Sequence, residues 1–218
     1  MKKILIHMDI SKHGEYDIFS TPDRALFYQH VQNIRTGDCP NTGNKLWFQA
    51  IISEISTGEN QLEYLERNMT SDYINTTYDM VVAPMANIFS ADYADMLDKL
   101  ADKFSQIKIP VYVIACGVQA GSYDELESLC DSIREPATRF ISTIYRTGGE
   151  FALRGYFTKE FFDRLGFKSA VVTGCPSLYQ MGRNLTVTIP KSRKDKADFK
   201  PLFNGDFPKM WEQMKKYP

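Results

Sequence analysis

The chain has 218 residues, 43% of them hydrophobic and 24% charged, with a formal net charge of −1. These are the values of an ordinary folded globular protein, long enough to bury a sizeable core, and they exclude disorder. The charge is uneven: residues 182–218 carry nine Lys or Arg against four Asp or Glu, a net of +5, which leaves −6 on residues 1–181.

Met1-Lys2-Lys3-Ile4-Leu5-Ile6 begins like a secretory signal, but His7 and Asp9 cut its apolar core short of the roughly 7 to 15 residues required, so the chain reads as cytoplasmic. Residues 3–8 are the first predicted strand, and His7 within it reads as a core residue. Asp9 lies at the strand's carboxyl end, where an acid either just ends the strand or is placed to act as a catalytic acid or base. Ser20-Thr21-Pro22-Asp23 supplies a cap, a proline at the first helical position and an acid in the first turn, predicting a helix to about residue 34. Asn41-Thr42-Gly43-Asn44 closes a loop that leads into an apolar helix from residue 45. A polar, glycine-bearing loop at a helix N-terminus offers free N–H groups and a positive dipole end, which suit an anion.

Residues 61–66 fit a short strand or a helix equally, whereas residues 78–84 read clearly as a strand. Met85, Asn87 and Ser90 then carry the chain off its carboxyl end. Tyr93, Met96, Leu97, Leu100, Ala101 and Phe104 recur at helical spacing. Ile109 to Val118 is the longest apolar run, about half of what a bilayer needs. It ends in small residues and reads as a buried parallel strand feeding a tight turn. Ligands in open α/β sheets bind outside the carboxyl ends of strands, which makes Gly117 and Gln119 site candidates by position.

Ser122-Tyr123-Asp124-Glu125 is a capping box, and Pro136 divides the following region into two helices. Residues 151–154 form a short strand. Thr158 is expected to cap a helix that Gly166 ends in the left-handed conformation. Residues 169–173 are one more buried strand, followed by Gly174, Cys175, Pro176 and Ser177. Strand and helix alternate throughout, so the predicted class is α/β, a Rossmann-like, mainly parallel sheet with helices on both faces.

Cys39, Cys116, Cys130 and Cys175 lie far apart with no histidine nearby, which argues against zinc and a disulfide framework and leaves reduced, packed thiols. No carboxylate cluster suggests a metal. The sequons at Asn68, Asn75 and Asn184 are chance matches in a chain that is not secreted. The basic residues after position 181 are interleaved with Asp195, Asp198, Asp206 and Glu212. That pattern is a solvated linker and a terminal helix and not a nucleic-acid surface; attraction to an anionic membrane surface is the alternative.

Four turns stand together in order: Asn41-Thr42-Gly43-Asn44, Ile114-Ala115-Cys116-Gly117-Val118-Gln119, Ala152-Leu153-Arg154-Gly155-Tyr156-Phe157-Thr158, and Thr173-Gly174-Cys175-Pro176-Ser177. In that order and spacing, residues 41–178 resemble the polysaccharide pyruvyl transferase family. The resemblance implies one half of a two-domain GT-B-like enzyme, with residues 1–181 as the Rossmann-like domain and residues 182–218 as the start of a second. Phe203, Phe207, Met210 and Trp211 would mark the surface that the second half covers or, in its absence, a homodimer contact.

The implied reaction moves pyruvate from phosphoenolpyruvate onto two hydroxyls of a polysaccharide or lipid-linked sugar, with no cofactor. The donor's phosphate and carboxylate need positive charge and N–H donors. Arg154 is the candidate that matches the family's arginine, set against an ion pair between helices. Asn41, Gly43 and Asn44 would bind phosphate or sugar, although family members often have an acid at the position of Asn44. Gln119 would bond a sugar hydroxyl, and Gly174 and Ser177 complete the candidate site. Two other readings compete: a non-catalytic α/β module for a glycan, a nucleotide or a partner chain, and a nucleotide-sugar glycosyltransferase.

Overall fold

The computed structural model describes residues 1–7, 42–66 and 68–181. Among these residues six strands form one sheet, β1 (Lys2–Ile6), β2 (Asn60–Tyr64), β3 (Met80–Pro84), β4 (Val111–Cys116), β5 (Phe151–Leu153) and β6 (Val171–Val172). The spatial order is β2-β1-β3-β4-β5-β6 and every pairing is parallel. This is the 2-1-3-4-5 doubly wound order extended by one strand, and the direction of winding reverses between β1 and β3. The helices are α1 (Thr42–Ile55), α2 (Ser71–Thr77), α3 (Ala94–Ser105), α4 (Tyr123–Ser132), α5 (Arg134–Arg146) and α6 (Tyr156–Arg164).

Alternation along the strands sends side chains to two apolar layers. Ile4, Ile6 and Val82 pack with Trp47, Phe48, Ile51 and Ile52 of α1 on one face. Leu5, Val81, Val111 and Val113 pack on the other with residues of α3, α4, α5 and α6, among them Leu97, Leu126, Phe140 and Phe161. Helices therefore cover both faces. The aromatic rings of Phe89, Phe140, Phe151, Phe161 and Phe162 form a continuous set of edge-to-face and tilted contacts in the second layer.

The ambiguous segment at 61–66 is the edge strand β2. Its polar residues Gln61 and Glu63 suit an edge that only β1 pairs. The capping box is present in a displaced form: Ser122 Oγ accepts the N–H of Glu125, while Glu125 Oε2 accepts the N–H of Gly121 at 2.7 Å. The helix break falls at Ile133, so Pro136 sits in the first turn of α5, where its missing N–H costs nothing. Gly148 and Gly166, at φ +80 and +91, end α5 and α6 in the left-handed conformation.

Two expectations are corrected. The helix expected from residue 45 begins at Thr42, so Gly43 and Asn44 lie in its first turn and not in a loop. The first-turn N–H groups have no intrahelical partner, so a glycine there forfeits no such bond. Thr158 is not a cap: α6 begins at Tyr156 with Gly155 at the cap position. The buried Thr158 hydroxyl instead accepts the Val118 N–H at 3.3 Å, joining α6 to the turn after β4.

Among the described residues, no helix is long and apolar enough to cross a membrane. The predicted helix to residue 34, Asp9, Asn41 and everything after residue 181 lie outside the described residues.

Candidate functional site

The carboxyl ends of β3, β4, β5 and β6 converge on one arginine. Arg154 directly follows β5, and its backbone N–H donates to the Cys116 carbonyl at 2.9 Å. That bond depends on an irregularity in β4. Pairing with β5 runs Ile114 to Ala152 and then Cys116 to Leu153, so Ala115 is an extra residue, a β-bulge. Ala115 is fully buried at φ +67, a conformation that costs a residue with a Cβ about 1–2 kcal/mol. The bulge places both Ile114 and Ala115 toward α1 and returns Cys116 to the opposite layer. Gly117 follows immediately, in the close space beside Asn87 and Arg154.

Asn87 stands three residues beyond β3. The turn that carries it is tied to the turn after β4: Phe89 N–H donates to the Gly117 carbonyl and Gln119 N–H donates to the Phe89 carbonyl. This continues the parallel pairing past the ends of the strands. A Cβ at position 117 would collide with Asn87 Oδ1 and press on Arg154 Cδ at 3.4 Å. Glycine is thus required by the close approach of two other side chains.

The guanidinium occupies the space so made. Its Nη1 donates to Asn87 Oδ1 at 3.1 Å, and its Nη2 lies 3.9 Å from Cys175 Sγ. Arg154 Nε is buried with no hydrogen-bond partner among the described residues. Among the described residues the arginines in ion pairs are Arg134, Arg139 and Arg164; Arg154 is not one of them. Among the described residues its contacts are an amide oxygen and a sulfur, and no carboxylate pairs with it at this partly buried position. Such an arrangement is costly unless an anion completes it.

From β6 the chain returns over the rim. Thr173 and Gly174 both donate to the Leu153 carbonyl, and Gly174 turns at φ +86. Cys175 then meets Arg154 on one side and Ser177 Oγ, 3.1 Å away, on the other. Residues Pro176–Met181 form a 3-10 helix that packs against α1. Burial alone would raise the Cys175 thiol, but the Ser177 hydroxyl, the Ser177 N–H and the Arg154 guanidinium outweigh it and hold the thiol below its ordinary value. Cys116 differs: complete burial pushes its thiol far up, and it is inert packing.

The structure therefore brings Gly117, Arg154, Gly174 and Ser177 to one rim. Gln119 is exposed and engaged through its backbone, apart from the guanidinium's contacts. Gly43 and Asn44 are placed only as first-turn residues of α1. Sequence reasoning does not single out Asn87, and it reads Cys175 as packing. The available signal for Asn87 is its place just past β3, beside the point where the winding reverses. Among the described residues no three His, Cys, Asp or Glu side chains gather closely enough to hold a metal ion. Comparison with protein-family models, with curated proteins and with solved structures gives no match.

Proposed function

We propose that this domain binds phosphoenolpyruvate at Arg154 and serves pyruvyl transfer to sugar hydroxyls, in the cytoplasm. The observation that carries the reading is the Arg154 guanidinium, partly buried, held by an amide oxygen and a sulfur, and paired with no carboxylate among the described residues. Its unused N–H donors suit a phosphate or a carboxylate, and phosphoenolpyruvate carries both. A hydrogen bond to a charged group contributes about 1.5–3 kcal/mol, so the site orients the donor without binding it tightly. Among the described residues, the turns at 114–119, 152–158 and 173–177, which resemble those of the pyruvyl transferase family, supply Gly117, Arg154, Gly174 and Ser177 to this rim.

Calorimetric titration of phosphoenolpyruvate into the wild-type protein and the Arg154→Ala variant tests the reading. Measurable heat in the wild type and its loss in the variant are expected; equal heats for the two proteins overturn it. A UDP or GDP sugar that raises the melting temperature where phosphoenolpyruvate does not would make the chain a nucleotide-sugar glycosyltransferase. Binding of phosphoenolpyruvate with no phosphate release from any glycan acceptor would leave a binding module.

A further inference from the structure

We propose that Cys175 is a proton-carrying thiol of this site: its ionised form is favoured against Arg154 in the free protein, and it takes up a proton when an anion occupies the guanidinium. The inference rests on Arg154 being the anion site. Three groups converge on the sulfur: Arg154 Nη2 at 3.9 Å, Ser177 Oγ at 3.1 Å and the Ser177 backbone N–H. Cys175 also packs against the apolar cluster built from α1, β1, β3 and β4. Among the described residues, then, Arg154 is the charge that faces it. An opposite charge at this range favours the ionised thiol, while the hydroxyl and the N–H favour it by hydrogen bonding.

An anion bound to the guanidinium neutralises that charge and sets a second negative charge beside the sulfur. Both effects favour S–H. The proton comes from solvent, S–H is the only covalent bond formed, and the guanidinium keeps its protons throughout. Cys175 is partly exposed, so both solvent and a labelling reagent reach it. A thiol held protonated beside a bound enol phosphate is a proton source of the kind that transfer of its pyruvyl group requires.

Two measurements on the full chain test this. Phosphoenolpyruvate is titrated calorimetrically at neutral pH in two buffers of unlike ionisation enthalpy, with wild-type protein and Cys175→Ser. Proton uptake is expected in the wild type and is lost in the variant. Iodoacetamide labelling of Cys175, followed by peptide mapping, is measured against pH for the wild type, Arg154→Ala and Ser177→Ala, with and without phosphoenolpyruvate or inorganic phosphate. Labelling at neutral pH is expected to fall several-fold in either variant. It should fall similarly when anion is added to the wild type, recovering at higher pH, which separates protonation from steric shielding. Phosphoenolpyruvate binding without proton uptake, together with one labelling profile common to all three proteins, overturns the proposal. Absence of phosphoenolpyruvate heat overturns the Arg154 reading and the linkage with it, and labelling without anion then still decides whether Arg154 holds the thiolate.

Discussion

Asn87 Oδ1 accepts a hydrogen bond from Arg154 Nη1 at 3.1 Å and at the same time fills the space that a Cβ on residue 117 would need. Asn87 thus fixes the arginine head only because residue 117 is glycine. Gly117 lies outside the left-handed region, so alanine there acts through its contacts with the Asn87 and Arg154 side chains. Gly117→Ala is expected to displace Asn87 and lower phosphoenolpyruvate affinity about tenfold, equivalent to about 1.4 kcal/mol. Calorimetry measures the affinity. A thermal melt separates this effect from general destabilisation, which should remain the smaller of the two.

Thr158 gives a contrasting prediction about stability. Its hydroxyl accepts the Val118 N–H at a buried position. Thr158→Val leaves that donor unpaired and should cost about 1–3 kcal/mol in urea denaturation. Thr158→Ser retains the acceptor and should cost less.

Gly149 faces a harder obstacle than Gly117 does. A Cβ there would overlap the Val111 carbonyl oxygen and neighbouring backbone atoms, which cannot rotate away. Gly149→Ala is expected to destabilise the domain by about 3 kcal/mol or more, read as a lowered melting temperature, because β4 and the start of β5 must move apart.

His7 makes stability depend on pH. Its ring lies 4.8 Å from that of Phe104, and its Nε2 is buried with no partner among the described residues. Burial, with the nearby Lys103 charge adding to it, lowers its pKa from 6.5 to about 4. The unfolded chain therefore binds the proton more readily than the folded one between those values. The contribution to stability is fully present above pH 6.5 and is lost as pH falls toward 4, up to roughly 3 kcal/mol. Denaturation of His7→Phe should show a flatter slope across that window than the wild type.

Much of the fold was legible in the residues. The segments at 78–84, 109–118 and 169–173 are apolar runs bounded by turn residues, and the regularity of β–α alternation required a parallel sheet. Thr158 was misread because a threonine before Lys159 and Glu160 has the local appearance of a cap. What decided its role was an N–H forty residues away, left without a ladder partner where the turn after β4 leaves the sheet. Gly43 and Asn44 were misread for a similar local reason, since turn-forming residues are also tolerated in a helix's first turn.

Arg154 is the candidate charge from the sequence because the resemblance carries the family's arginine to it; the residues by themselves leave an ion pair between helices equally open. Its state could not be chosen. An arginine paired with a carboxylate and one paired with an amide and a thiol look identical along the chain; only the return of the segment after β6 over the rim, and the bulge at Ala115, set Asn87 and Cys175 against it. The sequence by itself therefore determined the α/β class and the strand ends, since each follows from local periodicity and residue type. The tertiary structure alone decided the neighbours of the Arg154 charge, because they come from turns 21 and 67 residues distant and meet only when the sheet is wound.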